Sequence, residues 1–273
     1  MTSRIEQAVN YAILTFFALV ALFPLVGVLL SALTPSSEAG GGFAIPGHLD
    51  VGNFATAWTQ GHFGDYLQNS LLVTISIVVV SAVLSLLGGF AFGTMQFRGA
   101  TVLFYVLLAG MMLPEEALLV PLYFDLRGAG ITDTYWALIL PQIATAMPFG
   151  VFWMRSYFKS VDRGLVEAAR IDGASTWRML WQILVPMGRP ALTTMCLFIG
   201  MWTWNSFLLP LIMVSKESLN TVPLGLIFFQ GRYNVQYNLL AAASVLVALP
   251  VVGTYILTQR HFVAGMMSGS LKG

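Results

Sequence analysis

The chain has 273 residues, 57% of them hydrophobic and 9% charged, with a mean hydropathy of +0.79; soluble chains carry about 25% charge, so this much apolar surface needs lipid around it. The net charge of +1 excludes nucleic acid as a partner. The lone Cys196 excludes disulfides and thiolate metal sites and reads as a small buried hydrophobe.

Six apolar segments are predicted to cross a bilayer, at 9–33, 67–96, 101–124, 132–154, 190–214 and 239–259, each near the ~20 residues a span requires. The fold class that follows is all-α, a polytopic membrane protein with six transmembrane helices, read as one domain over residues 1–273. Arg4 precedes the first run, but Tyr11 to Leu33 is too long for a secretory signal and ends without a small-x-small cleavage site, so a retained span is expected. The 34–65 stretch is rich in Gly, Pro and Ser but carries Phe54, Trp58 and Phe63. Linkers seldom hold that many aromatics, and a folded loop or partner contact is expected. Pro114, Glu115 and Glu116 interrupt the third segment, which either ends or breaks there.

Lys and Arg placement sets the orientation. With the amino terminus in the cytoplasm, Arg4, Arg98, Arg155, Lys159, Arg163, Arg170, Arg178, Arg189, Arg260 and Lys272 lie inside, while Arg127, Lys216 and Arg232 lie outside, ten against three. Both termini and the 155–189 loop are therefore expected on the cytoplasmic side. The outer 216–238 loop mixes amides and aromatics such as Asn220, Gln230, Tyr233, Asn234 and Tyr237, which suits a solvated interfacial loop or a contact with substrate or a delivery protein.

Nothing in the chain supplies energy for transport. Ion-driven carriers bury carboxylates or histidines near the midplane, whereas here Glu115, Glu116, His48, His62 and His261 all fall at segment ends or in loops. No GxxxxGK[ST] phosphate cradle occurs either.

The most informative stretch is the polar island from Glu167 to Pro186. Asp162 and Arg163 open a short helix with Val161, Leu165, Ala168 and Ala169 on one face and Glu167 and Arg170 elsewhere. Gly173, after Asp172, stops it in the manner of a left-handed C-terminal glycine. Ser175 or Thr176 caps a second helix in which Trp177, Leu180, Trp181 and Leu184 repeat at i, i+3, i+4, i+7, and which Pro186 and Pro190 end. The second helix is expected to lie along the membrane underside and the first to protrude. An interfacial amphipathic helix would show the same periodicity.

The spacing Glu167-Ala168-Ala169, three residues, Gly173, nine residues, Ile183, one residue, Val185-Pro186 closely resembles the Glu-Ala-Ala loop of the membrane subunits of bacterial ABC importers, with Val185 where that family usually has Leu. The resemblance narrows to carbohydrate-type permeases, the second membrane subunit of maltose-like importers. It is carried by Pro121-Leu122-Tyr123, Asp172-Gly173-Ala174, Trp204-Asn205, Phe207 to Leu211, Val222 to Leu226, Ala241 to Val245 and the tail from Gln259 through Gly265 to Gly273. Ser206 departs from it, since many relatives carry an acid after Trp-Asn.

The resemblance implies the type I ABC importer permease fold. It also implies a homologous second permease, two ATPase subunits that hold ATP and Mg, and an extracytoplasmic binding protein, with no cofactor on this chain itself. Glu167, Ala168, Ala169, Asp172, Gly173, Ala174, Ile183 and Pro186 would form the ATPase-coupling segment. For a sugar path, the polar and aromatic groups of the fifth segment are the candidates, namely Asn205, Trp202, Trp204, Thr193 and Thr194, although helix packing explains each of them singly. Two other classes stay open. An ion-coupled carrier with broken helices would use Pro114, Pro121, Pro141 and Pro148, and a membrane scaffold would need no glycine turn.

Overall fold

A computed structural model describes residues 4–40, 45–231 and 235–270, without the side chains of Arg163 and of residues 260–270. Arg232, Tyr233, Asn234, Lys272 and Gly273, named above, lie outside the described residues, as do the side chains of Arg163, Arg260 and His261. The described chain is helical, with no strand beyond an isolated bridge between Gln230 and Val235.

The helices are α1 (Arg4–Ala32), α2 (Gly52–Gln60), α3 (Phe63–Thr94), α4 (Ala100–Ala109, tightening into a 3-10 turn at Gly110–Met112) and α5 (Glu115–Gly128). They continue as α6 (Tyr135–Ser160), α7 (Arg163–Ile171), α8 (Thr176–Met187, widened to π geometry over Met179–Leu184), α9 (Arg189–Trp204), α10 (Leu208–Met213) and α11 (Tyr237–Ser270). Between α10 and α11 lie single turns at Glu217–Leu219, Val222–Gly225 and Leu226–Phe229.

Four helices are straight, long and apolar enough to span a membrane, and two bent pairs bring the number to six. The 101–124 segment is one of those pairs. Helix α4 with its 3-10 turn meets α5 at 98°, and the bend falls where Pro114 takes an extended ψ of 123° and starts a new helix. The other pair is α8 and α9, which meet at 78°. The 190–214 segment differs from expectation: its helix stops at Trp204 and resumes at Leu208. Asn205 ends it, since both its backbone N–H and its Nδ2 donate to the Met201 carbonyl, at 3.1 and 2.8 Å. The 132–154 segment is longer than expected and runs from Tyr135 to Ser160, because Arg155 and Lys159 sit at its polar end without breaking helical geometry. Pro121, Pro141 and Pro148 lie within helices and do not interrupt them.

The chain divides into two compact units, one running through Tyr66 with Leu224–Pro250 added, the other comprising Leu67–Pro223 with the residues from Val251 onward. In the first unit, Asn53 joins three pieces of chain. Its Nδ2 donates to the carbonyls of Ala32 and Thr34, both at 2.9 Å, and its Oδ1 accepts from Asn238 Nδ2 at 3.0 Å. The described parts of the 34–65 stretch, 34–40 and 45–65, thus carry α2 and pack on the end of α1 through Asn53. Helix α1 is apolar and almost wholly exposed, the condition of a helix that meets lipid or another chain.

The second unit is built on close packing of α3 against α6. Ser81, Ser85, Gly89 and Gly93 recur every fourth residue and make one narrow face. A Cβ on Gly89 would lie 2.5 Å from Met154 Cβ and 2.9 Å from the Arg155 backbone N, and one on Gly93 would lie 2.8 Å from Phe158 Cβ. Larger residues would force the two backbones apart. Phe90 and Phe158 then meet edge to face at 5.5 Å and close the seam. This rigid pair is the frame on which the sites below are held.

Candidate functional site

The polar island folds as two capped helices around a glycine. Asp162 caps α7, its Oδ1 accepting from the Gly164 N–H at 2.9 Å. At the other end the Gly173 N–H donates to Arg170 O at 3.0 Å and the Ala174 N–H to Ala169 O at 2.9 Å, the paired 5→2 and 6→1 bonds of a Schellman C-cap. Gly173 sits at φ +74 with nothing within 4 Å of where a Cβ would be. Its side chain is therefore excluded by backbone conformation, not by crowding. Ser175 caps α8, its Oγ accepting from the Arg178 N–H at 3.3 Å.

The buried face of α7 differs in one position from the helical-spacing expectation. Ala169 is buried and Val161, Leu165 and Val166 are half-buried, while Ala168 is exposed. At 100° per residue Ala168 turns away with Glu167. In α8, Leu180 and Leu184 are buried and Trp181 half-buried as expected, but Trp177 is 62% exposed and meets Trp181 edge to face at 5.6 Å. Ile171 is 86% exposed. Pro186 does not end α8, which continues to Met187 and turns at Gly188.

That turn is held by α6. Tyr157 OH donates to Leu184 O at 2.8 Å, and Trp153 Nε1 donates to Ala191 O at 2.9 Å, one on each side of Gly188. A Cβ at Gly188 would meet the Tyr157 ring at 2.5 Å. Leu184 O also accepts from the Gly188 N–H at 2.9 Å, so the two side-chain bonds are additional to the helical ones, and they tie α8 and the start of α9 to α6 across the 78° bend. Trp153, Tyr157 and Gly188 were not singled out by sequence. Their only sequence signal is an aromatic pair one turn apart near the end of a segment.

The outward surface of α7 carries Glu167, Ala168, Arg170, Ile171 and Asp172, all exposed. Among the described side chains none of Glu167, Arg170 and Asp172 is in an ion pair. Ile183 and Ala174 are half-buried and face inward instead. The segment thus presents charge, a small alanine and an apolar tip on a firm base.

A second site lies at the bend between α4 and α5. A cavity of about 310 Å³ is lined there by Glu115 and Leu118, by Gln142, Thr145 and Phe149 of α6, and by Trp202, Thr203 and Ser206 at the end of α9. Phe149 meets Trp202 edge to face at 4.7 Å. Aromatic faces beside hydroxyl, amide and carboxylate groups suit a polar solute with apolar faces. Of the residues expected along a path, Trp202 lines this cavity. Thr194 and Trp204 are buried, and Thr194 Oγ1 bonds back to Pro190 O at 2.9 Å. Thr193 is half-buried, and Asn205 caps its own helix. Gln142, Thr145 and Glu115 were missed, since they come from segments whose meeting depends on the bend.

Residues 85–264 match the family model described as the binding-protein-dependent transport system inner membrane component, more than half of the chain. The diacetylchitobiose uptake system permease protein NgcG of Streptomyces coelicolor is 31% identical over 99% of this chain and 91% of its own length. The arabinooligosaccharides transport system permease protein AraQ of Halalkalibacterium halodurans is 34% identical over 94% of each. Among solved structures, a bacterial ABC transporter involved in the import of the acidic polysaccharide alginate aligns with a TM-score of 0.80 at 23% identity, covering 96% of this chain and 99% of that one. The fold is that of an ABC importer permease, and the chain belongs to the family of binding-protein-dependent transport system inner membrane components.

Proposed function

We propose that this chain is the second permease of a carbohydrate importer and that α7 with Gly173 is its joint to the ATPase. As a family member it is the non-catalytic membrane component, with ATP hydrolysis on a separate subunit. The carbohydrate assignment rests on relatives named for diacetylchitobiose and arabinooligosaccharides, and the polar, aromatic cavity at the α4–α5 bend agrees with it. The partners that follow are a homologous permease, two ATPase subunits carrying ATP and Mg, and an extracytoplasmic binding protein. The ten-to-three split of Lys and Arg supports a multi-pass inner-membrane placement with both termini in the cytoplasm. An ion-coupled carrier is set aside by the family assignment.

The observation that carries the joint is the exposed, twice-capped α7 ending in Gly173 at φ +74. Glu167 and Asp172 offer carboxylates to Arg or backbone N–H groups of a partner, Ala168 admits a close backbone, and Ile183 and Pro186 belong to the base that transmits the movement. In the assembled transporter, Gly173→Asp and Glu167→Lys are expected to leave membrane insertion intact and to reduce import and solute-stimulated ATP hydrolysis to background. Normal transport by both variants would refute the joint.

A further inference from the structure

We propose that the cavity behind α7 is a binding site for the phosphate headgroup of an anionic phospholipid, a proposal that takes its cytoplasmic placement from the reading above. The cavity measures about 720 Å³ and is walled by the end of α3, the first turn of α4, the end of α6 and the flank of α7 that carries Val166, Glu167 and Arg170. Three cations line it, Arg155, Lys159 and Arg170, against one carboxylate, Glu167. Among the described side chains none of the four is in an ion pair. An excess of two positive charges in one concave space attracts an anion.

Arg155 is already held for that role. Its guanidinium lies 3.9 Å over the Phe104 ring and its Nε donates to Phe92 O at 3.3 Å. A guanidinium fixed in this way loses little freedom on meeting a phosphate. Ala100 and Thr101 of the first turn of α4 also line the cavity; the Ala100 N–H donates to Phe97 O at 3.2 Å, and no side chain caps the turn, so the Thr101 N–H adds to the donors.

The surface beside the cavity decides between a lipid and a free anion. Phe97, at 41% exposure, lines the cavity, and Val102, Tyr105 and Val106 of α4 are each 65 or 66% exposed beyond it. An apolar helix face that begins at a basic cavity gives acyl chains a place to lie once the headgroup is seated, as basic pockets between spans do for anionic lipids. Inorganic phosphate would leave that face uncovered, and an acidic peptide has no use for it. Because Glu167 and Arg170 stand in the wall, a bound headgroup touches the same helix that meets the ATPase. Lipid composition then becomes a modulator of coupling.

The test uses the intact transporter complex, purified and exchanged into vesicles of phosphatidylcholine with or without phosphatidylglycerol. Native mass spectrometry counts retained phosphatidylglycerol for the wild type, for Lys159→Gln/Arg170→Gln, and for Arg178→Gln, a cation outside the cavity. The double variant is expected to hold phosphatidylglycerol about tenfold more weakly or worse, and the Arg178 variant to match wild type. Equal retention by the double variant would overturn the site. So would displacement of the lipid by inorganic phosphate alone, which would make it a free-anion site, or efficient cross-linking of Lys159→Cys to the ATPase subunit in lipid-loaded complex, which would make the occupant protein. Solute-stimulated ATP hydrolysis in pure phosphatidylcholine vesicles separates this outcome from the import reading, since it persists there whether or not the lipid site exists.

Discussion

The proposed coupling segment, residues 162–188, and the 213–222 loop both join longer helices of the second unit, yet they satisfy their backbones in opposite ways. The 213–222 loop is fastened by residues far away in sequence. Asn69 Nδ2 donates to Ser218 O and Asn220 O at 2.9 and 2.8 Å, Tyr135 OH donates to Asn69 Oδ1 at 2.6 Å, and Ser70 Oγ accepts from the Val222 N–H at 2.8 Å. Asp133 Oδ1 accepts from the Ser215 and Lys216 N–H groups as well. The coupling segment instead closes on itself through Asp162, the Gly173 turn and Ser175, and leaves Glu167, Ile171 and Trp177 outward. Buried polar backbone has to be paired, so the first loop is finished by its own chain. The second is finished locally and leaves one side of α7 exposed, the side proposed above to meet the ATPase.

The largest effect expected from this contrast is at Asn69, which is 6% exposed. Asn69→Ala removes two donors from the part-buried carbonyls of Ser218 and Asn220 and the acceptor of Tyr135, a loss of about 1–3 kcal/mol. The detergent-purified complex should unfold at a clearly lower temperature and be cut by protease within 213–222. Unchanged cleavage there would mean the asparagine does not fasten the loop.

A smaller and differently distributed effect is expected at the caps. Asp162→Ala and Ser175→Ala each remove one N-cap bond, worth about 1 kcal/mol to a local helix. Global unfolding temperature should hardly move, while stimulation of the ATPase falls, because the caps shape the docking surface without supporting the α3–α6 frame. A drop in unfolding temperature as large as that of Asn69→Ala would erase the distinction between the two regions.

What could be read in the sequence follows the same division. The coupling segment was legible down to its cap residues, because Asp162, Gly173 and Ser175 act through neighbours within four positions and local chemistry needs no fold. The spans were legible by length and apolarity, and the break at Pro114 by its flanking carboxylates. Asn69 and Asn53 were not, since an asparagine in an apolar run acquires its meaning only from carbonyls brought to it across many residues. The α8–α9 turn was bracketed by Pro186 and Pro190 but not assigned to Gly188, because the hydrogen bonds from Tyr157 and Trp153 that fix it come from another helix. The small-residue seam of Ser81, Ser85, Gly89 and Gly93 was not singled out, since four small residues in a long apolar run name no partner. The cavity residues Gln142 and Glu115 likewise depend on a bend whose angle no periodicity contains.

The least costly change that still separates the regions is at Asp133. It adopts φ +56, a conformation that Asp and Asn tolerate better than most residues, so Asp133→Asn keeps both the backbone and an Oδ1 acceptor while removing the charge. The Ser215 N–H holds the Asp133 carboxyl below its usual value. Partial burial opposes this, and the Lys216 N–H and charge assist it. A depressed folded-state pKa stabilises above the unfolded value of 3.8 and loses that contribution as pH falls through the folded value. Unfolding temperatures of wild type and Asp133→Asn should therefore run parallel from neutrality down to about pH 4 and converge only below it. The Ser175 cap should show no such convergence when Ser175→Ala is measured alongside, since a hydroxyl does not titrate there. Convergence that begins well above pH 4 would place the responsible group elsewhere and leave the 213–222 loop without its charged fastening.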